Sequence, residues 1–204
     1  MEKGVYIMIR TRSFAILAAG AVAALPALAQ ESGRSEVSVQ AFGSFVKDTT
    51  QNGVPQSATN SGGVLANYRY FFSKSNGAEV NYGYSLNTQT YGLEAGPLGV
   101  KSNQHEVTAA YVYRHVLRQF TPFVEAGVGG LVFDPTEAPG ASTQSRAAFV
   151  YGGGVDCNVT HHVFVRAEYR GLVCNSPTFE LAATAGTDRV THRAEPPIGF
   201  GYRF

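Results

Sequence analysis

The chain has no Trp, only two cysteines and only 15% charged residues, and neither sign dominates, with 16 Lys+Arg against 15 Asp+Glu in 204 residues. Each shortage excludes a class. A chain without a Lys/Arg excess lacks the electrostatic footprint of a nucleic-acid binder. Two cysteines cannot build a disulfide-dense scaffold or a Cys-based zinc site. Few charges combined with 11 Tyr and 13 Phe do not describe a disordered chain. Beyond residue 30 there is also no run of 18 uncharged apolar residues and no stretch with helical periodicity. What is plentiful is glycine, at 23 residues. The length suits one domain.

The first thirty residues read as an address. Lys3, Arg10 and Arg12 precede a charge-free run over 13–30, whose core is almost all Ala, Leu, Ile, Val and Gly. Pro26 breaks that run, and Ala27 and Ala29 supply small residues where a signal peptidase reads. Residues 1–29 are therefore expected to be a cleaved signal peptide, with 30–204 the mature domain. Met1 and Met8 are both sensible starts. A retained spanning helix is the alternative, and Pro26 and the small-residue site oppose it. An exported chain with no later spanning helix is either soluble outside the cytoplasm or a barrel that crosses a membrane with strands.

Residues alternate along the whole mature chain. Val37, Val39, Ala41, Gly43 and Phe45 alternate with Ser38, Gln40, Phe42 and Ser44. Seven further period-2 segments follow, over 64–72, 78–85, 106–114, 123–132, 148–156, 163–170 and 197–204. One face of the eight carries Val, Ala and aromatics without a charge. The other carries Arg69, Arg114, Arg166, Arg170 and Arg203 with Glu79, Glu106, Glu125, Asp156 and Glu168. Gly83, Gly127, Gly129, Gly152, Gly154, Gly199 and Gly201 share the charged face. A soluble barrel would place the polar face outside. A narrow lumen crowded with Arg and Glu needs small neighbours, and a solvent face does not. The glycines therefore favour charges inside.

Connection lengths point the same way. The links span 48–61, 73–77, 87–103, 115–120, 134–145, 157–161 and 173–188, alternately long and short. A transmembrane barrel has short periplasmic turns and longer external loops. The expected fold is all-β, an eight-stranded antiparallel up-and-down barrel with both termini in the periplasm. Tyr70, Phe72, Tyr113, Tyr202 and Phe204 are expected at its periplasmic rim, and Tyr82, Tyr84, Phe149, Tyr151 and Tyr169 at its outer rim, as interfacial girdles.

The closing residues, Ile198-Gly199-Phe200-Gly201-Tyr202-Arg203-Phe204, alternate apolar and aromatic positions and end in Phe. A Gly-rich strand, a short turn and then Val-Arg-Ala-Glu-Tyr-Arg occupy 149–172. In these features the chain resembles the small eight-stranded outer-membrane barrels of the OmpA/OmpX-like superfamily, in particular the outer membrane protein beta-barrel domain family. The resemblance implies a bacterial outer-membrane location. It also implies that Phe200, Tyr202 and Phe204 form the signal read by the barrel-assembly machinery. Outer-membrane lipid is then the main partner, with a monomer expected and no nucleic acid. Unlike full-length OmpA, no peptidoglycan-binding domain is expected after Phe204, and cell-wall anchoring is not expected as a role.

The ten inward charges are the one dense constellation. An eight-stranded barrel is just wide enough for side chains to fill, and buried charges are tolerable only when paired. Five Arg balanced by five acids favour a neutral, plugged lumen over a working channel. Arg166, Glu168, Arg170, Glu125 and Asp156 are expected to interlock. Catalytic patterns are weak. Lipid A deacylases of similar architecture need a His–Ser pair on one strand, whereas His192 is followed by Arg193 and Ala194. His161-His162 falls in a short turn and does not promise a metal site. Gly152-Gly153-Gly154 lacks a following Lys-Ser/Thr and is not a phosphate loop. Asn158-Val159-Thr160 reads as a chance sequon. Cys157 and Cys174 are expected at opposite ends of the barrel and unbonded.

The expectation is a non-enzymatic barrel without cofactor or metal, with a structural or surface-binding role through four long external loops. A narrow porin-like channel for small solutes or ions is one alternative. A soluble exported ligand-binding barrel is the other.

Overall fold

The computed structural model describes residues 34–51, 54–93, 96–136, 140–179 and 189–204. The expected signal peptide, 1–29 with Ala27 and Ala29, lies outside the described residues. The described residues form strands β1 (Ser35–Val46), β2 (Thr49–Gln51), β3 (Val54–Ala58), β4 (Ser61–Phe71), β5 (Asn76–Leu93), β6 (Gly96–Arg114), β7 (Phe120–Pro135), β8 (Gln144–Asn158), β9 (Val163–Asn175), β10 (Val190–Glu195) and β11 (Pro197–Arg203), with turns and connections between them.

These strands close on themselves. β4 to β9 pair in chain order, and β1 pairs with β4 on one side and with β10 and β11 on the other, every pair antiparallel. Closure removes every edge from the wall, which is the condition for crossing hydrocarbon with strands. The last stave is β10 and β11 together. Phe42↔Pro197 and Phe45↔Ala194 keep one register across the gap. Pro196 interrupts it only because proline has no N–H to give the ladder. The barrel has eight staves, as the alternation predicts.

The faces also agree with the sequence. Val39, Val128 and Phe200 are 65%, 65% and 70% exposed on the outside, while Arg166 and Arg170 are 0% exposed inside. A soluble barrel would have the reverse arrangement, so that alternative is discarded. Glycine on the inner face makes room where the lumen is crowded. A Cβ on Gly201 would stand 2.1 Å from the Phe164 ring.

Several boundaries differ from expectation. The 87–103 link is a tall hairpin, not a loop, because β5 and β6 pair without a break from Asn76↔Tyr113 to Leu93↔Gly96. The 48–61 link contains β2 and β3, and β3 pairs with the far end of β5 through Gln56↔Tyr91. β9 runs on to Asn175, and the final stave starts at Val190, seven residues before the expected 197. The barrel thus has one end of short turns, at 72–75, 115–119 and 159–162, and one end carrying the long connections.

Candidate functional site

All ten predicted charges point inward, and the structure brings them together. At the short-turn end, Glu36 accepts from Arg166 Nη2 at 3.1 Å and from Arg203 Nε at 2.8 Å, and it also pairs with Arg114. Arg166 in turn binds Asp156 through Nε at 2.6 Å and Nη2 at 2.8 Å. Further along, Arg69 pairs with Glu79, with Glu125 at 3.0 Å and with Glu168 at 3.6 Å. Arg170 meets Glu106 at 2.7 Å, Glu125 at 3.4 Å, Glu195 at 3.5 Å and Glu168 at 3.6 Å. Arg193 continues the series to Glu195.

The five residues expected to interlock therefore fall into two groups, with Arg166 and Asp156 in one and Glu125, Glu168 and Arg170 in the other. Two asparagines join the groups. Asn67 accepts from Arg166 Nη1 at 3.1 Å and donates to Asn81 at 2.7 Å, and Asn81 donates to Glu79. Arg69 is the hub on the far side.

Sequence reasoning missed three members: Glu36, Arg193 and Glu195, all buried. With them the ion-paired network among the described residues holds seven carboxylates and six guanidiniums rather than five of each, and Arg146 lies beyond it on the inner face of β8. Inner-face aromatics complete the packing. Arg69 and Arg166 lie 3.9 and 5.0 Å from the centroid of the Phe123 ring, and Arg114 lies 3.4 Å from that of Phe71. A guanidinium stacked this way keeps its edge free for carboxylates.

Above the charges, toward the long connections, the inner face turns apolar. Val100, Leu131, Phe133, Val150 and Leu172 are all buried there, with Phe179 packed among them. Phe179 is not on the wall. It belongs to the connection after β9 and meets Phe133 edge-on at 6.5 Å between ring centroids. Gln144 Oε1 accepts from the N–H groups of Thr178 at 2.8 Å and Phe179 at 2.9 Å, and Tyr91 donates to the Pro177 carbonyl at 2.6 Å. Burial pushes the Tyr91 hydroxyl above its ordinary range. Phe179 has φ +54°, a backbone region that costs a non-glycine residue. No sequence signal announces this residue, since nothing periodic precedes it.

The histidines make local contacts. His105 hydrogen-bonds the Tyr82 hydroxyl at 2.8 Å, and His192 hydrogen-bonds that of Tyr151 at 2.8 Å. His162 donates from Nδ1 to the Arg203 carbonyl at 3.0 Å. Among the described residues no group of three or more His, Cys, Asp or Glu could hold a metal ion. Cys157 and Cys174 are both free. Phe200 and Tyr202 lie on the outer face of β11, with Phe204 just past its end.

The comparisons with known proteins agree with this architecture. A family model described as the outer membrane protein beta-barrel domain matches residues 14–204. The outer membrane protein OprG of Pseudomonas aeruginosa superposes with a TM-score of 0.62 at 17% identity, over 85% of this chain and 97% of that one. Neisserial surface protein A gives 0.64 at 14% identity, over 86% and 100%. Ail, the attachment invasion locus protein of Yersinia pestis, in complex with the heparin analogue sucrose octasulfate, gives 0.50 at 19% identity, over 85% and 100%. At such identities the likeness is one of fold. No curated protein matches.

Proposed function

Because the chain belongs to the outer membrane protein beta-barrel domain family, we propose that it is a non-enzymatic outer-membrane barrel with a filled lumen and a surface-binding role. The short turns then face the periplasm and the long connections face outward, the usual orientation of such barrels. Phe200, Tyr202 and Phe204 are the proposed signal for the barrel-assembly machinery. The proposed state is a monomer in outer-membrane lipid.

One observation carries the filled lumen: Arg69, Arg166 and Arg170, the largest of the fully buried side chains, are each 1% exposed or less. Six guanidiniums held among carboxylates, with buried apolar side chains and Phe179 above them, support a lumen closed to small solutes. Displacing any of these charges would strand its partner in a low-dielectric interior. Liposome swelling in a small sugar tests this reading. The filled lumen predicts the rate of protein-free vesicles, and faster swelling contradicts it.

The surface role has a separate basis. Loops carried on a rigid scaffold usually hold specificity. The similarity to Ail, named for attachment and invasion, favours binding at the cell surface. Replacing 48–61, 134–145 and 173–188 with short turns, while keeping the barrel, is expected to abolish adhesion to host-cell matrix and leave insertion intact. Adhesion that survives all three deletions and a shortening of the 87–103 hairpin would contradict the assignment.

A further inference from the structure

The short-turn end of the barrel is basic. Lys74 lies in the 72–75 turn, His115 and Arg118 in 115–119, His161 and His162 in 159–162, and Arg34 just before β1, and all six are exposed. These three turns contain no Asp or Glu. The opposite end has no such bias. There Lys47, Lys101 and Arg189 mix with Asp48 and Asp134 among the described residues.

The same turns expose apolar side chains: Phe72, Val116, Leu117 and Val159. A turn in bulk water gains nothing from showing Leu and Val beside a cation. At a membrane interface the pairing is favourable, since the apolar group enters the acyl boundary while the cation stays at the phosphates.

The depth of the turns is fixed by contacts. His162 stacks on Tyr202 at 5.6 Å with 15° between the rings, and Tyr202 packs edge-on against Phe204. Tyr202 belongs to the aromatic belt expected at headgroup level. The turns are also tightly tied. Ser73 Oγ accepts from the N–H of Asn76 at 3.0 Å, and Thr160 Oγ1 accepts from that of Val163 at 2.9 Å. They cannot stretch away from the bilayer.

We propose that this end is a binding surface for anionic phospholipid headgroups of the periplasmic leaflet, with Lys74 and Arg118 as the principal phosphate contacts. The choice of leaflet rests on the orientation proposed above; the lipid contact itself does not. Free phosphate shares the chemistry, but the exposed apolar neighbours fit a lipid and not an ion. One basic residue near an anionic bilayer changes partitioning by about fivefold, so these two together account for roughly 25-fold.

The test uses the folded protein in symmetric vesicles of phosphatidylcholine, with and without one third of the lipid as phosphatidylglycerol. Both leaflets are then alike, and the result does not depend on orientation. Urea titration is expected to show the unfolding constant falling by at least tenfold when phosphatidylglycerol is present. K74Q/R118Q is expected to lose most of that effect, and K74E/R118E to reverse it. If the charge-reversed chain does not fold, the Gln variant decides. An equal phosphatidylglycerol effect in the Gln variant overturns the proposal, as does no effect in the natural chain. Inorganic phosphate added to phosphatidylcholine vesicles is expected to change nothing. Stabilisation there would assign the site to the free ion and overturn the lipid reading.

Discussion

Arg166 holds Asp156 through two of its nitrogens, at 2.6 and 2.8 Å, and neither residue is more than 2% exposed. The pair sits between β8 and β9, where Asp156 and Arg166 are direct register partners. Arg166 also reaches Glu36 on β1, past the intervening β11, so the pair ties β8 and β9 to the first strand of the barrel.

Removing one partner of a buried pair leaves an uncompensated charge. Asp156→Ala is therefore expected to destabilise the barrel by about 3 kcal/mol or more. Asp156→Asn, which keeps an acceptor for Arg166, is expected to cost less. Urea unfolding of both variants in lipid vesicles measures the difference. Equal stability of Asp156→Ala and the natural chain would show that the contact is not maintained.

Gly201 and Phe164 are register partners on neighbouring staves, and the ring fills the space a Cβ would need. Gly201→Val is expected to block folding or cost several kcal/mol through overpacking. Phe164→Ala in the same chain is expected to restore part of the loss, since it vacates that space. The fraction of protein migrating as folded barrel on unboiled gels reads the outcome. A double variant no better folded than Gly201→Val alone would count against the contact.

Gln144 anchors the connection after β9 by accepting two backbone N–H groups, from Thr178 and Phe179. Gln144→Ala is expected to speed amide exchange at each position by about fivefold, since each lost bond is worth about 1 kcal/mol. Tyr91 adds a second anchor through Pro177. Its hydroxyl is held neutral by burial, so this contribution is present below the ordinary Tyr value of about 10 and is lost only as pH rises through the raised one. Exchange at 178 and 179 is thus expected to show no loss of protection from unanchoring between about pH 6 and 9, beyond the intrinsic rate.

Cys157 lies nine residues along β8 from Ala148, the register partner of Cys174. At about 3.3 Å per residue the two thiols are about 30 Å apart, far beyond disulfide reach. Non-reducing peptide mass spectrometry of the folded protein is expected to recover both unbonded. A Cys157–Cys174 peptide would contradict the strand register.

Much of this fold was legible because a membrane barrel makes burial alternate with period 2. Inner and outer faces follow for all eight staves. Glu36 lay one residue before the first apolar position and shares the parity of Ser38 and Gln40, so extending the pattern by one step would have found it. Arg193 and Glu195 precede Pro196 and Pro197, which read as the end of a strand although the register runs through them. The tall β5–β6 hairpin was hidden for a physical reason. Its burial still alternates, but the buried Asn87 and Gln89 are as polar as the more exposed Thr88 and Thr90, so the sequence shows no contrast. Phe179 could not be found, because its place depends on a tertiary pocket from β5 to β9 and on a backbone angle that sequence does not encode.

Single-channel recording in planar lipid bilayers tests the filled lumen most directly. With Arg69, Arg166 and Arg170 each held by carboxylates and Phe179 seated above them, the folded protein is expected to insert without any steady unit conductance in molar salt. A stable, ohmic open level from the natural chain would contradict the account.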